Sequence, residues 1–236
     1  MKLPLFLFLS LFFVSTAYAE RATMFQYWEY GAVRQCLRGT PYPSNSDEAT
    51  MMGMTACVTS NAPRQRSPAE QLLEAAKDQL DDLHGYLGDS AVIDTVTKAI
   101  DLDPRLVEAY LVRAYILWSW QRKPDQALAD YERVIELDPV CIPAYYWRHD
   151  IFFMTKRWNE VMWNSIKLIE LQPLNPGHYY EKARAYENLG WTSEAIKAYK
   201  EFLPVAMNAS EGLSTIFHEH IVEAQRKIKK YQGESP

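Results

Sequence analysis

From Ser67 onward, apolar residues recur at helical spacing, three and four apart, in blocks of about a dozen residues separated by short polar breaks. Proline punctuates the breaks. Asp103-Pro104, Asp138-Pro139 and Gln172-Pro173 close three segments of one form, Ala99 to Pro104, Val134 to Pro139 and Leu168 to Pro173, at intervals of 35 and 34 residues. Proline lacks the N–H that a continuing helix needs, while its fixed φ suits a first helical turn, so each one ends a helix and opens the next. The pattern predicts an all-α array of stacked helix pairs with a period of 34 residues.

The segment 107–139 carries Tyr110, Ala114, Ala127, Tyr131 and Pro139, with one extra residue in the turn between Gln121 and Pro124. Segment 142–173 has Tyr145, Phe152 and Pro173, with His149 and Val161 where its neighbours have alanine. Segment 176–207 has Tyr179, Ala183, Tyr186, Gly190, Ala195 and Tyr199, and its last proline, Pro204, comes early. An earlier, degenerate unit over 73–104 keeps Leu80, Leu83, Val92, Ala99 and Pro104. In these residues the chain resembles the tetratricopeptide repeat family over about Leu73 to Met207. The resemblance implies a right-handed superhelical array of helix-turn-helix repeats spanning 69–209. Small residues such as Ala114, Ala127, Ala183 and Ala195 let paired helices approach closely, and Tyr131 and Tyr199 fill the gap to the next pair. An end repeat needs a cover with a polar outer side. Within 210–236, Ser214 to Tyr231 supplies a capping helix with Ile216, Phe217, Ile221, Ala224 and Ile228 inward. Its basic end at Arg226, Lys227, Lys229 and Lys230 suits the negative pole of a helix C-terminus.

In the family the first helix of each pair lines a concave groove that holds an extended peptide or a partner helix. By register, the resemblance implies Leu111, Tyr115 and Trp118 from one repeat, Tyr146, Asp150 and Phe153 from the next, and Tyr180, Arg184 and Asn188 from the third. The implied groove is aromatic, and Tyr and Trp dominate binding hot spots. The function expected is that of an adaptor for a protein or peptide partner.

The other end of the chain addresses the compartment. Lys2 precedes an apolar run from Leu3 to Val14, and Ala17-Tyr18-Ala19 offers small residues at the −3 and −1 positions of a cleavage site, so 1–19 reads as a signal peptide. The run is shorter than the roughly twenty residues a spanning helix needs, and no later segment is apolar enough, so no membrane span is expected. The expected location is the periplasm, with secretion as the alternative and envelope, pilus or secretion assembly as the setting. Residues 20–68 are loop-rich, with short helices predicted over 23–37 and 47–59. Cys36 and Cys57 fall within this stretch and are expected to pair in an oxidising compartment, whereas Cys141 reads as a small buried apolar residue. Another reading is a secreted inhibitor or immunity-type protein acting through residues 20–68.

Composition narrows the classes further. The 236 residues carry a formal charge of −5, from 25 Lys+Arg against 30 Asp+Glu, which argues against a nucleic-acid partner. His218-Glu219-His220 resembles a metal motif, but on a helix the two imidazoles point about 200° apart, so no metal is expected. No Gly-rich phosphate loop, Gly-x-Ser-x-Gly or His-Glu-x-x-His pattern occurs, and neither a cofactor nor an enzymatic activity is expected. Oligomeric state is left open.

Overall fold

The computed structural model describes residues 65–82, 90–209 and 216–233. The signal segment 1–19, the helices predicted over 23–37 and 47–59, Cys36, Cys57, Leu83 and the start of the capping segment at Ser214 lie outside them. The described residues are all-α, in the order α1 (Pro68–Asp82), α2 (Ser90–Leu102), α3 (Val107–Ser119), α4 (Pro124–Leu137), α5 (Ile142–Met154), α6 (Trp158–Leu171), α7 (Pro176–Asn188), α8 (Thr192–Met207) and α9 (His218–Gln232).

Each helix packs on its predecessor and its successor, and α3 also touches α5, which is the contact pattern of helix pairs stacked into a solenoid. The core runs through the stack. Val96, Val112, Ile116, Val134, Ile151 and Val161 are at most 1% exposed, each contributing roughly 1.5–3 kcal/mol of burial. Ala109, Ala114, Ala127, Ala144, Ala183 and Ala195 show no exposure at all, so a larger side chain at any of these close approaches would push paired helices apart.

Local chemistry explains where the elements begin. α1 opens with a reciprocal cap, in which the Ser67 N–H donates to Glu70 Oε2 (2.7 Å) and the Glu70 N–H donates to Ser67 Oγ (3.2 Å). α7 has Asn175 accepting from the Gly177 N–H at 3.0 Å, with Pro176 following. The proline punctuation has a second role. Tyr110, Tyr145 and Tyr179, on the first turn of α3, α5 and α7, donate their hydroxyls to the carbonyls of Pro104, Pro139 and Pro173 at 3.3, 3.0 and 3.0 Å. One tyrosine per repeat thereby ties the inter-repeat loop to the helix it introduces.

The two helices of each pair are also bridged by polar groups at equivalent places. Arg113 makes a two-pronged contact to Asp130 (2.8 and 2.7 Å), Arg148 donates to Asn164 at 3.0 Å, and Lys182 pairs with Glu201. Asn164 is 2% exposed and uses its amide N–H on the Tyr145 carbonyl at 2.8 Å, so the α5–α6 pair, with its larger Val161, has a satisfied polar centre. Pro204 sits inside α8 without ending it. It lies on the exposed side of the last turns, and the helix closes beyond it with the Asn208 N–H on the Pro204 carbonyl at 3.1 Å.

The expected Cys36–Cys57 disulfide is withdrawn. Both cysteines are outside the described residues, among which there is no disulfide; Cys141, the cysteine within them, is a fully buried thiol. The expectation rested on compartment and on closeness in sequence, neither of which brings two Cα atoms to bridging distance.

Candidate partner-binding groove

The groove expected from register lies along α3, α5 and α7, and side chains on these helices and on α9 reach from each to the next. Trp118 Nε1 donates to Asp150 Oδ2 at 2.9 Å, joining α3 to α5. The Arg184 guanidinium lies 4.6 Å from the centre of the Phe153 ring, joining α5 to α7. Tyr180 donates its hydroxyl to Glu223, joining α7 to α9. Tyr115 packs edge-on against Trp120 and Trp147, with ring centres 5.9 and 5.3 Å apart.

The nine groove positions therefore divide by accessibility. Leu111, Tyr115, Trp118, Asp150, Phe153 and Arg184 are half-buried, and Asn188 is exposed. Tyr180 is 4% exposed and belongs to the core under α9. Tyr146 is committed elsewhere. Its hydroxyl donates to Gln172 Oε1 (3.0 Å), accepts from Asn175 Nδ2 (2.8 Å) and lies 3.0 Å from His178 Nε2, which is itself 3.0 Å from Gln172 Oε1. Burial raises the Tyr146 phenol well above its ordinary range. Burial, helped by nearby His149, pushes His178 down to about 3, so this imidazole is neutral. These residues form a polar lock between the second and third repeats.

The sequence reading did not include the contribution of α9. A cavity of about 430 Å³ opens between α7 and α9, walled by Tyr180, Arg184, Glu187 and Asn188 on one side and by His220, Glu223 and Lys227 on the other. Lys227, read from sequence as part of the basic end of the capping helix, turns inward and pairs with both Glu187 (2.5 Å) and Glu223 (2.9 Å). Arg226, Lys229 and Lys230 remain exposed. Burial alone would raise the Glu187 carboxyl, but hydrogen bonds from Lys227, Tyr231 and Tyr199 outweigh it and hold the group below the usual carboxylate range. Glu223 is held low in the same way by Tyr180 and Lys227. A Glu-Ala-x-x-Lys spacing on α9 opposite Glu187 and Tyr199 is visible in sequence only once the register of α9 on α7 is known.

Among the described residues no group of His, Cys, Asp and Glu is placed to hold a metal ion. His220 instead packs edge-on against Tyr180, with ring centres 4.5 Å apart. No described helix is long and apolar enough to cross a membrane.

An all-α stack of antiparallel pairs with a lined inner edge is the architecture of a binding scaffold. The sequence model of the tetratricopeptide repeat family matches residues 107–141 and 179–203, which cover α3–α4 and most of α7–α8. Those two segments thus match the tetratricopeptide repeat, which supports a general protein–protein interaction module. Solved structures with the same fold include MamA 41-end from Desulfovibrio magneticus RS-1, at 11% identity and a TM-score of 0.52, over 72% of this chain and 96% of that one. A MamA RS-1 double mutant matches at 12% identity and a TM-score of 0.53, over 72% and 97%. MamA AMB-1 matches at 14% identity and 0.52, over 81% and 96%. At these identities the likeness is one of fold.

Proposed function

We propose that the protein is an exported, periplasmic adaptor whose inner edge holds a segment of a partner polypeptide in an envelope, pilus or secretion assembly. The observation that carries this is the row of half-buried Leu111, Tyr115, Trp118 and Phe153, held in fixed orientation by contacts between successive first helices at Trp118–Asp150 and Phe153–Arg184. Pre-oriented aromatic side chains lose little entropy when a partner covers them. Compartment rests on the signal-like segment 1–19.

The test is capture from an envelope fraction with the chain lacking residues 1–19, beside a Leu111→Ala/Trp118→Ala variant and a Trp163→Ala variant; Trp163 is 67% exposed on α6, away from the inner edge. A partner bound by the parent chain should bind the double variant at least tenfold more weakly and the Trp163 variant unchanged, with circular dichroism showing all three folded. Equal binding by all three would move the site off the groove. If deleting residues 20–64 then abolished binding, the inhibitor reading would replace the adaptor.

A further inference from the structure

The turns inside the helix pairs, 120–123, 155–157 and 189–191, lie along one edge of the stack. Contacts near the C-terminal ends of α3, α5 and α7 hold that edge together, Trp118 to Asp150 and Phe153 to Arg184. The end of α9 joins it, because Lys227 and Tyr231 both reach Glu187 on the last turn of α7. Arg122, Lys123, Lys156 and Arg157 from the turns, and Lys229 and Lys230 from α9, are exposed along this edge. Asp125, Glu160 and Glu194 stand on it too, with Glu160 paired to Arg157 at 2.9 Å, and the edge is still basic in a chain of net charge −5. Arg122, Lys123 and Lys156 make no ion pair among the described residues. The opposite edge, formed by the loops between pairs, is acidic: Asp101, Asp103, Glu136, Asp138 and Glu170 lie on it, with Arg105 as a cation among them.

Two further features mark the basic edge. Arg122 and Lys156 sit at φ of 54° and 58°, the position that Gly190 fills in the third turn. Side chains are strained in that region and glycine is not, so the first two turns keep a cation against a backbone cost. Apolar side chains stand beside the charges: Met154 and Trp191, at the second and third turns, are each 45% exposed.

We infer that this edge docks on a membrane leaflet containing anionic lipid, with Arg122, Lys123, Lys156 and Lys229 at the lipid phosphates and Met154 and Trp191 entering the interface. Each Lys or Arg at such a surface contributes roughly fivefold to binding, and an indole is at home on the boundary between headgroup and hydrocarbon. A soluble polyanion would use the same cations but leave Met154 and Trp191 in water, so their place beside the charges favours the lipid surface. The acidic edge then faces away from the leaflet, where its carboxylates are not repelled. The inference goes beyond the adaptor reading and does not depend on it, since none of these residues belongs to the nine groove positions.

The test is sedimentation with vesicles of phosphatidylcholine, alone or mixed with phosphatidylglycerol, using the chain lacking residues 1–19 so that the apolar run Leu3 to Val14 contributes nothing. The parent chain should bind the mixed vesicles saturably, bind the neutral ones at least about tenfold more weakly, and lose affinity as salt rises. Arg122→Gly/Lys156→Gly relieves both backbones and should be at least as stable in urea, yet bind about tenfold more weakly. Arg105→Gln/Lys200→Gln removes the same charge from exposed positions on the acidic edge and on α8, and should bind as the parent does. Phosphatidylglycerol with brominated acyl chains should quench the tryptophan emission of the bound chain, and Trp191→Phe should lose part of that quench. Absent binding, equal binding to neutral vesicles, equal loss in the two double variants, or an unchanged quench in Trp191→Phe would each overturn the inference. So would tighter binding of polyglutamate than of the mixed vesicles, which would make an acidic polypeptide the occupant of this edge.

Discussion

Tyr131 and Tyr199 occupy the same place in their repeats and both have no exposed surface, yet their hydroxyls have opposite fates. The Tyr199 hydroxyl donates to Glu187 at 2.9 Å, whereas the Tyr131 hydroxyl is buried with no hydrogen-bond partner among the described residues. An unsatisfied buried hydroxyl costs about 1–3 kcal/mol, and removing it while keeping the ring recovers part of that. Tyr131→Phe should therefore leave urea-unfolding stability unchanged or raise it by about 1 kcal/mol. Tyr199→Phe should lower it by about 1–2 kcal/mol, because Glu187 and Lys227 lose a shared partner. A clear loss in the first variant or none in the second would contradict this account. From sequence the two tyrosines are interchangeable motif residues; what separates them is α9, whose side chains complete the hydrogen bonds around Tyr199.

At the scale of the element, the turns inside each pair show what punctuation reveals and what it hides. Arg122, Lys156 and Gly190 are spaced 34 residues apart and all have positive φ, at 54°, 58° and 76°. The second and third turns close with bonds from the Arg157 N–H to Phe152 O and from the Trp191 N–H to Tyr186 O. The first closes with the Lys123 N–H on Leu117 O, a loop one residue longer, which accommodates the extra residue read near Gln121. Only glycine takes this conformation without cost, and a side chain pays roughly 1–2 kcal/mol there. Lys156→Gly should accordingly stabilise the chain by about 0.5–1 kcal/mol and Gly190→Ala destabilise it by about 1 kcal/mol, although no atom within 4 Å would obstruct the added methyl. Chemical denaturation of the two variants checks both signs. Helix ends, turn lengths and repeat period were legible because glycine, proline and apolar spacing act locally. The groove positions come from register alone: Leu111, Trp118, Phe153 and Tyr146 are all half-buried, and the Tyr146 hydroxyl also closes the lock with Gln172, Asn175 and His178. No local pattern announces a bond between side chains 26 to 32 residues apart.

For the whole molecule, stability in a stacked array is close to a sum of repeats and of the interfaces between neighbours, so one weakened junction lowers the whole. The junction between the second and third repeats holds the neutral His178, whose folded pKa of about 3 lies below the roughly 6.5 of an exposed imidazole. The unfolded chain then binds more protons between these values, so this stability is fully present above about pH 6.5 and is lost as pH falls toward 3. By pH 5 the loss is on the order of 2 kcal/mol. Glu187 and Glu223, held low at the α7–α9 interface, add their own loss only as pH falls through and below the ordinary carboxylate range. Acid should therefore act first through the buried imidazoles, His178 at this junction and His220 on α9, which burial also lowers, and then through the two carboxylates. His178→Gln keeps a polar side chain facing Tyr146 and Gln172 but cannot titrate. Its stability should fall less than that of the parent chain between pH 7 and 5, the remaining fall coming from His220, and Glu187→Gln should flatten the curve only below about pH 4.5. Parallel curves for the parent and His178→Gln above pH 5 would remove this imidazole from the account and leave the α9 interface, with His220, Glu187 and Glu223, as the acid-sensitive contact.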